Sequence, residues 1–186
     1  AGDQVDVLVE LINVHDATTR WSQRYTRPFR NLFALQDEIA GAVAQALQAR
    51  LSSGVKQVAQ NDRPISGNLD AYNAYLQGRY YLERNSEADY RRAIAFLSTA
   101  VGKDPDYAAA HAGLATAWTN LSSYYLAGSK AREGYAQARA ASAAALRLQP
   151  ELAMAHAARG VLLLNADMDW AAAESEISRA LRLAPN

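Results

Sequence analysis

The sequence predicts a mainly α-helical chain: three helical hairpins stacked as a solenoid, preceded by a β-hairpin and a long amphipathic helix. Three observations predict it. Alanines recur ahead of prolines, as Ala93 and Ala100, with Leu97 between them, before Pro105, then Ala138 and Ala145 before Pro150, then Ala173 and Ala180 before Pro185. Val5 to Val14 and Arg20 to Tyr25 alternate in the manner of paired strands. Between these regions Leu35, Ile39, Val43, Leu47 and Leu51 recur every fourth residue.

Composition narrows the function classes. Of 186 residues, 50% are apolar and 20% charged, enough to build a core. Nineteen basic residues balance nineteen acidic ones with no long run of either sign, so the sequence carries no electrostatic footprint for nucleic acid. Cysteine is absent, which excludes disulfides and thiolate metal sites. No apolar run approaches the roughly 20 residues of a membrane span, and no signal peptide opens the chain. The compartment, cytoplasmic or periplasmic, is left open.

Taken in order, Val5 to Val14 is rich in β-branched residues and reads as a strand. His15 to Thr19 supplies turn chemistry, and Arg20 to Tyr25 returns antiparallel. A lone hairpin is at best marginally stable, so it is expected to pack on the next helix or to join further strands. Pro28 stops the strand, and Asn31 is placed to cap a helix running to about Leu51. Ser, Gly, Gln, Asn, Asp and Pro then dominate. The expected organisation is a hairpin-plus-helix segment over 1–52, a linker over 53–68 and a helical domain over 69–186. The abrupt start at Ala1 suggests a segment of something longer.

The phrases His15-Asp16-Ala17-Thr18-Thr19, Trp21-Ser22-Gln23-Arg24-Tyr25 and Leu32-Phe33-Ala34-Leu35-Gln36-Asp37-Glu38-Ile39-Ala40 resemble the C-terminal part of the TolB-like N-terminal domain of bacterial regulatory proteins. The resemblance covers only the end of that domain. Thr19 stands where the family usually has Gly.

Downstream, Ala74-x-x-x-Gly78-x-x-Tyr81 and Leu114-Ala115-x-x-Trp118, with the recurring Ala and Pro positions, resemble the tetratricopeptide repeat, a helix-turn-helix unit of about 34 residues. Three repeats are expected, over about 69–105, 106–150 and 151–185. In the first, Asp70 to Arg84 forms one helix and Ser86-Glu87-Ala88-Asp89 caps the next. In the second, 45 residues separate Pro105 from Pro150, and the excess is expected to extend the first helix through Tyr125 before Gly128. In the third, Asp169 caps the closing helix. Ala93, Ala100, Ala115, Ala138, Ala145, Gly160, Ala173 and Ala180 are read as close-packing positions. The outer face of the third repeat is left for another copy or for further sequence to cover, which makes a homo-oligomer one expectation.

Candidate chemistry is sparse. His111 and His156 occupy equivalent places in successive repeats and are read as packing residues. His15 adjoins Asp16 without a nucleophile. No phosphate loop, His-Glu-x-x-His or metal-spaced carboxylate cluster occurs, and no catalytic residue, cofactor or metal is assigned. Asn120-Leu121-Ser122 matches a glycosylation sequon, which the helical context argues against using.

The tetratricopeptide resemblance implies a groove lined by the first helix of each repeat, here by Tyr72, Tyr75, Arg79, Leu82, Thr116, Thr119, Asn120, Met154, Val161 and Asn165. Asn120 and Asn165 fall at matching places, suited to an extended peptide's backbone, with Tyr72 and Tyr75 as aromatic anchors. The competing expectation is that the tyrosines pack against the linker or the long helix. Tyr75, Arg79, Gly113, Met154 and Ala158 stand where the chaperone-tail clamp of the family has Lys, Asn and further basic residues, so such tails are not the expected ligand. The function expected is a non-catalytic protein-binding scaffold. Its alternative is a sensory or oligomerisation module of a larger bacterial signalling protein, a cyclase or winged-helix regulator. A small-molecule enzyme ranks third.

Overall fold

A computed structural model describes residues 4–13, 16–46 and 62–185. The chain forms two compact units, residues 1–53 and 54–186. Among the described residues it is mainly helical, with one small two-stranded sheet.

In the first unit β1 (Gln4–Ile12) pairs antiparallel with β2 (Thr19–Pro28). Cross-strand neighbours explain the register. Val7 faces Tyr25, Leu11 faces Trp21, and on the other side Ser22 Oγ donates to Glu10 at 3.1 Å. At the turn the Thr18 N–H donates to Asp16 Oδ1 at 3.0 Å, and Ala17 takes the positive φ of 54°. The left-handed position is therefore supplied by Ala17, and Thr19 already belongs to β2. A 3-10 turn, Phe29–Asn31, leads into α1 (Leu32–Ala46), so Asn31 lies within that turn and not in the extended conformation of a capping residue. α1 packs on β2, with Tyr25 and Leu35 enclosed. Val14, His15, Leu47, Leu51 and the expected linker up to Asn61 lie outside the described residues.

The second unit holds α2 (Leu69–Leu82), α3 (Glu87–Lys103), α4 (Ala108–Tyr124), α5 (Gly128–Leu148), α6 (Ala153–Leu162), a π-helical turn (Leu163–Asp167) and α7 (Trp170–Leu183). Local chemistry sets the boundaries. Asn68, Ser86 and Asp169 accept the backbone N–H of Ala71, Asp89 and Ala172, capping α2, α3 and α7. Asn85, at φ 57°, turns the chain between α2 and α3. α4 runs through Tyr124, and Gly128, also at φ 57°, starts α5.

α2 packs on α3, α4 on α5 and α6 on α7, and successive pairs meet through α3–α4, α4–α6 and α5–α6. All eight predicted small-residue positions are buried. Their lack of bulk lets the helices approach, while Leu97, Leu121 and Leu162 fill the remaining space. Burying a leucine of this kind stabilises by roughly 1.5–3 kcal/mol.

The two junctions between pairs reproduce each other. Asp104 N–H donates to Ala100 O at 2.9 Å and Gln149 N–H to Ala145 O at 2.9 Å. Tyr107 N–H donates to Asp104 O and Leu152 N–H to Gln149 O, both at 3.1 Å. His111 N–H then donates to Tyr107 O and His156 N–H to Leu152 O, both at 3.2 Å. Even the imidazoles match: His111 Nε2 lies 2.9 Å from Pro105 O, and His156 Nε2 lies 2.8 Å from Pro150 O. Each imidazole ties the first turn of its helix to the preceding proline.

Candidate functional site

Asn68 caps α2 and so fixes its rotation, which sets Tyr72, Tyr75 and Arg79 along one side at offsets of three and seven residues. Tyr107 arrives from the Asp104-Pro105-Asp106-Tyr107 junction, and its ring centroid lies 5.0 Å from that of Tyr75. Tyr72 continues the aromatic row, 6.4 Å from Tyr75. From α6, Met154 Sδ meets the Tyr75 hydroxyl at 3.8 Å. Residues from all three helix pairs therefore meet at Tyr75.

Asp62 lies over this row. Its carboxylate pairs with Arg79 Nη1 at 2.5 Å, and its backbone carbonyl accepts the Tyr107 hydroxyl at 2.5 Å. The following residues are anchored too: Pro64 is buried, Ser66 Oγ bonds Asp104 Oδ2 at 2.6 Å, and the Asn68 side chain donates to Lys103 O. Burial pushes the Tyr75 and Tyr107 hydroxyls well above the ordinary tyrosine value. Burial also raises the Asp62 carboxyl, against the attraction of Arg79. For Arg79 burial works against the charge, but the neighbouring Tyr75 and Asp62 outweigh it and the value is raised. Near neutral pH the site thus holds one cation and two neutral phenol donors, a set suited to holding oxygen acceptors.

The other expected groove residues are spread out. Tyr72 and Tyr75 are buried, so neither offers much open anchoring area. Leu82, Thr116 and Asn120 are half-buried, and Thr119 is fully enclosed. The hydroxyls of Thr116 and Thr119 donate to their own helix, to Ala112 O and Ala115 O. Val161, on α6 with Met154, is 37% exposed and is the most open of the set. Asn120 and Asn165 do not share a setting. Asn120 sits in regular α-helix near the Tyr90 hydroxyl, which donates to Asn85 Oδ1 at 2.7 Å and is raised by burial. Asn165 falls in the π-helical turn, which changes the backbone register.

Sequence reasoning passed over Asp62 and Tyr107 as site residues. Tyr107 carries a signal, an aromatic residue at the junction place that Leu152 takes in the next pair. Asp62 carries none, because nothing local distinguishes it from other linker residues.

Two further polar clusters have structural partners. His156, buried, places Nδ1 2.6 Å from Glu176 Oε2, and Arg159 Nε lies 3.6 Å from the other oxygen of Glu176. Arg139 grips Asp167 through two bonds of 2.6 Å, pinning the π-helical turn to α5. Those bonds hold the Asp167 carboxyl below its usual range. Among the described residues no three His, Asp or Glu side chains are grouped to hold a metal ion, and no helix is long and apolar enough to cross a membrane.

No protein-family model matches the chain. It is similar to a protein of Rhizobium meliloti (strain 1021) named "Putative adenylate cyclase 3", with 27% identity over 116 residues. The match takes in 61% of this chain and 19% of that protein, so the shared region is about a fifth of the relative's length.

Proposed function

We propose that residues 69–185 are three tetratricopeptide repeats acting as a protein-binding scaffold without catalysis of their own, and that residues 5–51 are the end of a TolB-like domain. The observation that carries this is the bond-for-bond correspondence of the two junctions 45 residues apart, with α2, α4 and α6 meeting around Tyr75. Repeated helix pairs expose one continuous side to a partner, and peptides docking there use a few buried anchors surrounded by less important contacts. The site's donors favour binding over bond-making. Display of random 12-residue peptides against the full chain tests the reading. Enriched peptides whose Kd rises at least tenfold with Val161→Glu support it, and the absence of any enriched peptide overturns it.

A second reading follows from the similarity to a protein named for a cyclase: the segment regulates or assembles a signalling output carried elsewhere in a longer protein. Reading the native gene upstream of Ala1 tests it. A cyclase or winged-helix domain supports this role, and a gene encoding neither removes it.

A further inference from the structure

The two junctions match bond for bond, yet their histidines are completed differently. His156 Nδ1 meets the Glu176 carboxylate at 2.6 Å, and Arg159 Nε lies 3.6 Å from the other oxygen of that carboxylate. Ala138 and Ala145 of α5 match Ala173 and Ala180 of α7, which puts Ala141 at the place of Glu176; on α4, Leu114 stands at the place of Arg159. Where the later pair has a carboxylate, the earlier one has a cavity. It measures about 310 Å³ and is lined by His111, Leu114 and Trp118 of α4, Ser98 of α3, and Gln137, Ala141 and further alanines of α5. We propose that this cavity binds a small carboxylic acid with an apolar body, whose carboxyl group takes on His111 Nδ1 the place that Glu176 takes on His156. The proposal goes beyond the scaffold reading, and none of these residues belongs to the groove on which that reading rests.

The imidazole is set to receive such a group. His111 Nε2 lies 2.9 Å from Pro105 O, which can only accept, so this nitrogen carries the ring proton and Nδ1 keeps a lone pair. Among the described residues nothing bonds Nδ1. A carboxylate can join it only with one further proton shared between ring and acid, so binding takes up a proton from solution and forms one charge-assisted bond. Of the side chains lining the cavity His111 alone is titratable, and no fixed anion there repels the ligand.

The remaining lining sets the body of the ligand. His111 and Trp118 are seven residues apart on one side of α4, roughly 10 Å along the helix, with Leu114 between them. An indole and a leucine beside alanines favour an apolar chain ending in a ring. The volume lies at the small end of the roughly 300–1,000 Å³ typical of ligand pockets, which excludes a large molecule.

The probe is 4-phenylbutyrate, with its carboxylate and ring at opposite ends of a three-methylene chain, titrated into the full chain by calorimetry in mildly alkaline buffer. It should bind at least tenfold more tightly than its methyl ester, which has the same body and no acid. Binding should take up close to one proton, read from the difference in heat between phosphate and Tris buffers. Ala141→Glu, which supplies the carboxylate of the later pair, should weaken the probe at least tenfold. His111→Ala should do the same for the acid and leave the ester unchanged. No saturable binding at millimolar acid overturns the proposal, as do equal binding of acid and ester, absence of proton uptake, or unchanged affinity in either folded variant. Circular dichroism establishes that each variant is folded. The His111 imidazole NMR signals of the unaltered chain give a readout that needs no variant: they should shift on saturation with the acid, and unmoved signals overturn the site.

Discussion

A methyl group on Gly78 would lie 2.5 Å from Leu97 Cγ, closer than packed carbons approach. Leu97 is fully enclosed, and a Cβ at Gly113 of α4 would likewise come to 3.0 Å from its Cδ2. The spacing of the first two helix pairs therefore depends on both glycines.

Gly78→Ala should accordingly destabilise the helical unit by about 1–3 kcal/mol, although alanine is the better helix former by about 1 kcal/mol. Gly102, exposed on α3 with nothing within 4 Å of a built Cβ, is the control. Gly102→Ala should be neutral or stabilising by up to about 1 kcal/mol. Urea denaturation of both variants checks the pair, and equal effects would mean that Leu97 can yield.

The equivalent histidines should differ in weight. His156→Ala strips the half-buried Glu176 carboxylate and the Pro150 carbonyl of a partner each, which should cost about 2–3 kcal/mol. His111→Ala removes one bond, to Pro105 O, from a half-buried site and should cost about 1 kcal/mol. Thermal or urea unfolding ranks them. A larger loss at His111 would contradict the account of what each ring holds.

Asp62 and Asp167 should respond to acid with opposite signs. Burial raises the Asp62 carboxyl above the 3.8 of an unperturbed aspartate, so the folded state binds its proton more readily than the unfolded chain does. Its contribution is fully present below 3.8 and declines as pH rises through the higher folded value. Hydrogen bonds from Arg139 lower the Asp167 carboxyl, so its contribution is present above 3.8 and is lost as pH falls through the lower folded value. Asp62→Asn should therefore flatten the decline on the alkaline side of 3.8, and Asp167→Asn the decline on the acid side. Urea midpoints collected across the acid range test this, and a shift of the same sign in both variants would refute it.

Asn120 and Asn165 provide a fourth test. Asn120→Ala removes a half-buried polar neighbour of Tyr90, whose hydroxyl retains its bond to Asn85 Oδ1, and should cost up to about 1 kcal/mol. Asn165→Ala, at a half-buried position of the π-helical turn, should cost less than Asn120→Ala. Matching losses at the two positions would mean that the turn keeps the α-helical register after all.

Local chemistry is legible in the residues themselves. Ser86 and Asp169 announce helix starts because a side-chain oxygen three residues ahead of a free N–H acts over a short, fixed distance. The extension of α4 to Tyr124 follows from the surplus between Pro105 and Pro150, and the eight small residues mark where helices touch. The candidate site is legible only in part. Arg79 and Met154 stand beside the central cluster, but Tyr72 and Tyr75 are buried, and Asp62, which bonds Arg79 and Tyr107, carries no sign of its role.

What the sequence by itself determined is the succession of helix pairs and their junctions, because capping, proline placement and small-residue spacing act between neighbours along the chain. The tertiary structure decided which side chains share a space. Asp62 reaches Tyr107, 45 residues away, only because the chain ahead of α2 folds back across it. The π-helical turn breaks the correspondence of Asn120 and Asn165, held by an Arg139–Asp167 pair that spans 28 residues. Contacts of that range depend on how whole helices pack, and no local pattern encodes them.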